Sequence, residues 1–402
     1  MANVAEKARF YLERSVPQLR EFEEKEIFSK DEIRTLVQKR SEFEHIVLGP
    51  GSKPADFQAY IAWELSLEAL RAKRCRRLKI KHATSHAGQA KVFNIYERAV
   101  FRHPGSVTLW RQYLDYAADV KATRRWRKIV TRALRLHPMD AGLWAMAARR
   151  AARNGDMDNA RSLFMRGCRF CNTEPVLWIE YARSEMEWLG RMEGKKGTKA
   201  LAAARSAETE EEDDIIRLND DSEDEDDDDG DDVLIPDLAA ADGKKAKKVF
   251  NEEAVKKLEK SPALDGAIPR AIFEVSKKQP FFGPEAAEAF FNLFSLFTDV
   301  GAQAKLIQFV LDSMAEMYPN HAATCSCLVR HPLVGVDVST AAFPKALRES
   351  LARIKVQTEA TEDRELFTAK TVGWIDPILA KEDLDSALRT VLEHTKRKLE
   401  SP

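Results

Sequence analysis

The sequence predicts an all-α fold: a superhelical array of helix-turn-helix repeats interrupted by a disordered acidic insertion. Three observations carry that prediction. Arg98, Arg132 and Arg166 are evenly spaced, and the residues around them keep the same step: Val92, Trp126 and Ala160; Ile95, Ile129 and Leu163; Ala99, Ala133 and Gly167. Leu109-Trp110, Leu143-Trp144 and Leu177-Trp178 recur with the same period. No segment shows sustained strand alternation. A period of this size, about 34 residues, describes a pair of helices that cannot cover its apolar faces alone and stacks on copies of itself.

Residues 1–54 read as an N-terminal helical region. Phe10, Leu12, Val16, Leu19 and Phe22 form an expected apolar face, interrupted at Pro17. Ser29 is a good N-cap with Glu32 three residues later, the pattern of a capping box. Ile33, Leu36, Val37, Arg40 and Phe43 then follow helical spacing. Gly49-Pro50-Gly51-Ser52-Lys53-Pro54 is a firm break.

Residues 55–193 carry the regular repeats. Phe57, Tyr60, Ile61, Trp63, Glu64 and Leu67 open a long helix. The step from Trp63 to Trp110 is longer than one period, and the extra length falls around 76–89. The second helix of each pair, such as Ala90–Phe101, places Val92, Ile95, Tyr96 and Ala99 on one face. Pro104 and Pro138 close two such helices; the third has Asn172 in that slot and its proline late, at Pro175, so the loop is remodelled. The expected inter-repeat core is Trp63, Ile95, Tyr96, Ala99, Trp110, Tyr113, Trp126, Ile129, Ala133, Trp144, Leu163, Phe164, Trp178 and Tyr181. A fourth leading helix runs from about Val176 to Met192.

Residues 194–248 form an acidic linker, expected to be mostly disordered apart from a helix over Lys199–Ile216. Most positions between Glu208 and Asp232 are Asp or Glu, and without apolar surface nothing offsets the entropy of ordering them. Residues 249–402 read as a degenerate continuation of the repeats. Aligning Pro280 and Pro319 with Pro104 puts Ile268, Ala271, Ile272 and Val275, then Ile307, Val310, Leu311 and Met314, on buried faces. The Phe290-Phe291-Leu293-Phe294-Phe297 cluster is the intervening helix. Further helices are expected at 343–357, 361–381 and 384–399.

With 402 residues, 44% of them apolar, the chain can bury a large core. Its net charge of −1 conceals an asymmetry: residues 1–192 hold 36 Lys or Arg against 23 Asp or Glu, and the remainder holds 28 against 42. Such polarity suits a basic face for an acidic partner. Five scattered cysteines fit a reducing compartment rather than a disulfide framework. The N-terminus has no apolar h-region, and no window approaches a membrane span. A soluble, intracellular protein with no membrane contact is expected.

Thr108–Tyr116, which contains Leu109-Trp110-Arg111-Gln112-Tyr113-Leu114, resembles the first helix of the half-a-TPR (HAT) repeat. Ala90–Pro104, with Ile95-Tyr96-Glu97-Arg98-Ala99-Val100, resembles the second. At the N-terminus, Arg9-Phe10-Tyr11-Leu12-Glu13, Val16-Pro17, Leu19, Ile27-Phe28-Ser29, Glu32-Ile33, Lys39-Arg40 and Phe43-Glu44 resemble the signature of the U-three small nucleolar RNA-associated protein 6 family. Ala147 stands where Tyr113 and Tyr181 stand in the neighbouring repeats, and the C-terminal units lack the tryptophan. The resemblance implies a HAT-repeat subunit of the UTP-B module of the small-subunit processome. It further implies a nucleolar location, β-propeller partners, and a scaffold role in early processing of small-subunit pre-rRNA. The alternative is a direct RNA-binding HAT protein of another RNA-processing complex, in splicing or polyadenylation.

Arg71, Lys73, Arg74, Arg76, Arg77, Lys79 and Lys81 form the candidate contact with pre-rRNA, snoRNA or an acidic partner, because dense cations repel one another and a polyphosphate relieves this through counterion release. The competing reading is a solvated helix end, where cations suit the negative end of the dipole. The aromatic stripes could stack single-stranded RNA, but their helical spacing favours the core. Arg98, Arg132 and Arg166 could line an anion groove; an intra-repeat ion pair or a stem over an aromatic ring is the favoured reading. Ser222, before Glu223-Asp224-Glu225, fits an acidophilic kinase. Lys244-Lys245-Ala246-Lys247-Lys248 resembles an import signal. Cys168-x-x-Cys171 and Cys325-x-Cys327 do not repeat a zinc spacing, so no metal is expected. No phosphate loop, nucleophile elbow or acid–base constellation is present, so no catalytic residue, cofactor or small-molecule substrate is expected.

Overall fold

A computed structural model describes residues 2–80, 86–206, 265–381 and 384–400. Every extended regular element among them is an α-helix. The chain divides into two compact units, residues 1–171 and 172–402, a division ahead of the boundary expected at 193.

The first unit holds α1 (Ala2–Glu13), α2 (Val16–Glu24), α3 (Lys30–Leu48), α4 (Pro54–Arg77), α5 (His86–Arg102), α6 (Val107–Asp119), α7 (Thr123–Leu136), α8 (Ala141–Arg153) and α9 (Met157–Phe170). The break between α1 and α2 at Arg14-Ser15 resets the helical phase. Phe22 is therefore buried while Phe10 and Val16 are exposed, so the single apolar face expected across both does not form. Ser29 caps α3 with a complete capping box: its hydroxyl accepts from Glu32 N–H at 3.3 Å, and the Glu32 carboxylate accepts from Ser29 N–H at 2.9 Å.

From α3 to α8 one continuous core runs through Phe57, Tyr60, Ile95, Trp110, Trp126 and Leu143, with Trp63 and Leu163 packed at its margin. Trp144, Phe164, Ile129 and Ala133 are also buried. The turn prolines explain part of the period. Trp110 Nε1 donates to the Pro104 carbonyl at 3.0 Å, and Trp144 Nε1 donates to the Pro138 carbonyl at 2.8 Å. The end of the next second helix meets the same carbonyl: His137 Nε2 lies 2.7 Å from Pro104 O, and Cys171 Sγ 3.7 Å from Pro138 O. Each turn carbonyl thus ties its own pair to the next. The first helix of each pair ends in a left-handed residue, Lys79, Lys121 or Gly155, the conformation that closes a helix by a Schellman turn.

The second unit holds α10 (Val176–Ser206), α11 (Ala267–Ser276), α12 (Pro284–Ser295), α13 (Gln303–Met317), α14 (Ala322–Arg330), α15 (Phe343–Ala360), α16 (Arg364–Leu379) and α17 (Ser386–Glu400). Helix α10 passes the expected linker boundary because Lys195, Lys196, Lys199, Ala200, Leu201 and Ala202 are strong helix formers. On α11 the buried face is Pro269, Ile272, Phe273 and Ser276, not the expected set. Val275 is exposed, and Phe273 meets Phe282, Phe290 and Phe309 edge-on. The aromatic cluster outweighs the β-branched residues in choosing the face. On α13, Ile307, Val310, Leu311 and Met314 are buried as a stripe. Glu288 on α12 is held by Arg330 at 2.8 Å and Lys370 at 2.5 Å, joining α12, α14 and α16. No helix among the described residues is long and apolar enough to cross a membrane.

Candidate docking and polyanion surfaces

Helix α3 positions Arg40 and Glu44 four residues apart, on the side facing α4 and α5. Arg40 is fully buried and bidentate to Glu64, with Nε–Oε1 at 2.8 Å and Nη2–Oε2 at 3.0 Å; Nη2 also donates to Gln18 of α2. Glu44 accepts from Tyr60 Oη at 2.9 Å and from both Nη atoms of Arg98, at 2.7 and 3.0 Å. The Arg98 guanidinium lies 4.0 Å over the Tyr11 ring of α1. Lys91 completes the cluster, 3.9 Å from Glu64. Burial, then the neighbouring Arg40 cation, lowers Lys91 to about 8. The N-terminal helices are therefore fastened to the first repeat through charges as well as packing.

Arg132 pairs with Glu97 of α5 and lies over Trp110. The ion pair runs between successive repeats, whereas the contact with the Trp110 ring lies within the α6–α7 pair. Thr131 occupies the slot after Glu97, so Arg166, one period later, meets no acid there, and its side chain is exposed.

The basic run on α4 is divided by the structure. Arg71 is buried and pairs with Glu68 at 2.5 Å. Arg74 donates to the Ile27 carbonyl at 3.1 Å, forms a bidentate pair with Glu32 at 2.7 and 2.8 Å, and covers the Phe28 ring. The Arg74 hydrogen bond pulls Glu32 down to about 2. Arg74 ties α4 to the start of α3, Arg71 is paired within α4, and neither offers a free charge to a ligand. Lys73, Arg76, Arg77 and Lys79 are exposed, and 100° per residue puts 73, 76 and 77 on one side of the helix. Lys81, Ser222, the Lys244–Lys248 run and the acidic tract lie outside the described residues.

A groove of about 840 Å³ opens between α1, α3 and α5, lined by Phe10, Tyr11, Phe57, Arg98, Phe101 and Arg102 among others. Phe101 is 83% exposed and Phe10 56%, and clustered exposed aromatics mark interaction surfaces. Cys168 and Cys171 are buried at the end of α9, and burial raises the Cys168 thiol to about 12.

Sequence reading passes over α7. Arg124, Arg127, Lys128 and Arg135 are exposed on its outer side. The signal is present: no Asp or Glu occurs between Asp119 and Asp140, while seven Lys or Arg do. The period of Trp126, Ile129 and Ala133 on the same helix hides it.

A stacked helical array with charged junctions between repeats and an aromatic groove at one end is the architecture of a HAT-repeat protein. Residues 93–194 match the family model for the N-terminal HAT repeat of the pre-mRNA-splicing factor Syf1/CNRKL1. Residues 12–94 match the model of the family described as U3 small nucleolar RNA-associated protein 6. The chain is 36% identical over 211 residues to U3 small nucleolar RNA-associated protein 6 of Schizosaccharomyces pombe, across 52% of this chain and 43% of that protein. It is 28% identical over 179 residues to the Mus musculus homolog and 27% over 183 to the Homo sapiens one, in each case 44% of this chain and 30% of the relative. Its N-terminal half is thus similar to the U3 small nucleolar RNA-associated protein 6 family. It spans less than half the length of these curated relatives.

Proposed function

We propose that this chain is a scaffold subunit of a nucleolar pre-ribosomal particle associated with U3 small nucleolar RNA, the small-subunit processome. There it supports early processing of pre-rRNA by holding other subunits, including β-propeller proteins. One observation carries the reading: the segment matching the family model, residues 12–94, supplies Arg40, Glu44 and Glu64, which with Arg98 just beyond it fasten the N-terminal helices to the first repeat. A family-specific segment packed on a generic repeat gives the array a surface of its own for partners. The chemistry is binding, and no catalytic role is assigned. Lys73, Arg76, Arg77 and Lys79 form a contact for RNA or an acidic partner, and Ser222 is a site for added phosphate.

The match to a splicing-factor repeat over 93–194 supports a second reading, an RNA-binding subunit of a splicing complex. That match covers repeats common to many such proteins, whereas the terminal segment is specific to one family. Affinity purification of the tagged chain from nuclear extract separates the two. U3 RNA and propeller subunits are expected in the eluate and spliceosomal RNAs are not; the opposite pattern overturns the proposal.

A further inference from the structure

Helix α7 has a buried side of Trp126, Ile129, Val130 and Ala133. A rotation of 100° per residue puts Arg124, Lys128, Thr131 and Arg135 on the opposite side, with Arg127 at its margin. All five are exposed, and the four cations form no ion pair with a described residue. The flanking arginines behave differently. Arg125 lies 4.9 Å over the Phe93 ring, and Arg132 pairs with Glu97.

The repeat provides an internal control. One period earlier, on α5, the slots of Arg124, Arg127, Lys128 and Arg135 hold Ala90, Phe93, Asn94 and Phe101; one period later, on α9, they hold Asp158, Arg161, Ser162 and Arg169. Helices of the same fold pack without this set of cations, so packing does not require them. They also carry a cost. Arg124 and Lys128 are like charges four residues apart on one face, where they repel each other. Arg124 stands in the first turn, where the helix dipole disfavours a cation and no acid compensates. On α4, by contrast, the exposed Arg76 and Arg77 sit in the last turn, where the dipole favours them.

We propose that the outer face of α7 binds the phosphate backbone of RNA. The cations span about 16 Å along the helix, room for two or three successive phosphates. The face carries no apolar anchor of the kind that dominates protein–protein hot spots, and phosphate contacts need none. Recognition is by charge and is independent of sequence. The choice of RNA as the polyanion rests on the ribonucleoprotein reading above.

The test uses the full chain and a mixed-sequence single-stranded RNA in a fluorescence anisotropy titration at several salt concentrations. The combined variant Arg124→Gln, Arg127→Gln, Lys128→Gln, Arg135→Gln is expected to lose at least tenfold in affinity near 0.1 M salt. Its slope of log K against log salt should fall by about 2, at roughly 0.7 for each phosphate no longer neutralised. Replacing the three arginines by lysine keeps most of the binding. Thermal unfolding followed by circular dichroism should show no loss of stability, since the substitutions remove repulsion from exposed positions. The matching variant of Lys73, Arg76, Arg77 and Lys79 should lose less. Unchanged affinity and slope in the α7 variant overturn the proposal. So does wild-type binding to polyglutamate as tight as to RNA, which assigns the face to an acidic protein. Failure of the wild type to co-purify with U3 RNA would sink the particle reading alone, leaving the anisotropy result standing.

Discussion

Lys91 is the surplus cation of the buried network. Arg40, Lys91 and Arg98 bring three positive charges to Glu44 and Glu64, so deprotonating Lys91 makes the cluster neutral. Its folded-state pKa of about 8 lies below the usual 10.5. Between those values the unfolded chain binds more protons, so this group adds stability as pH rises through the window. Below pH 8 the folded protein carries the full cost of the buried charge, at most about 3 kcal/mol. Lys91→Met is therefore expected to be neutral or stabilising at pH 7, and the gap from wild type should shrink as pH rises from 8 to 10. Urea unfolding at several pH values measures it, and a gap that widens with pH contradicts the assignment. The tryptophans offer a second residue-scale comparison. Trp144 Nε1 has the Pro138 carbonyl, but Asn172 replaces that proline in the next repeat and Trp178 Nε1 is buried with no acceptor among the described residues. Trp144→Phe should cost about 1 kcal/mol more than Trp178→Phe, the value of one hydrogen bond; equal losses in unfolding titrations would count against it. The tryptophan period is plain in the sequence, whereas its carbonyl partner depends on how the turn folds over the indole. The partners of Arg40 are equally out of reach of sequence reading, because a pairing between separate helices depends on how those helices cross.

At the scale of elements, the Arg40–Glu64 pair fastens α2 and α3 to α4. Arg40 Nη1 has no acceptor among the described residues, so the clamp is imperfect as well as buried. Removing one partner strands the other, at a cost of about 3–5 kcal/mol, while replacing both by apolar residues of similar volume is often neutral. Arg40→Met should loosen the N-terminal helices and expose them to protease. Arg40→Met with Glu64→Met should restore most of the stability. Limited proteolysis and urea titration read both, and a double variant as unstable as the single one refutes the clamp. Local chemistry is the legible part of these elements. The α3 capping box is a short-range pattern and is present as read. Periodicity fails where it has to choose between faces: on α11, Ile268, Ala271, Ile272 and Val275 and the observed Pro269, Ile272, Phe273 and Ser276 are both helical stripes, and only the packing of Phe273 against Phe290 selects one. On α1 and α2, the single stripe in the sequence runs through a break that rotates the second helix. Around the end of α4, seven cations look like one patch until burial claims Arg71 and the pair with Glu32 claims Arg74.

At the scale of the molecule, charge is divided as sharply as structure. Residues 1–171 hold 34 Lys or Arg against 19 Asp or Glu, a balance of +15, whereas the rest hold 30 against 46. The first unit also has interiors of its own, one around Trp110 and one around Phe22, Phe28 and Leu67, and its length is that of an ordinary domain. The fragment 1–171 should therefore fold alone, with helical circular dichroism and a single cooperative urea transition. Separated from the acidic half, it should also bind single-stranded RNA more tightly than the whole chain does, because the excess negative charge no longer repels the approaching phosphates. Salt discriminates this from a steric effect. Screening over about 10 Å at 0.1 M and about 3 Å at 1 M should close the gap between fragment and full chain as salt rises. A gap that persists at high salt means that residues 172–402 act by covering the basic unit, not by their charge. A fragment that folds but binds more weakly than the full chain puts the polyanion contact elsewhere.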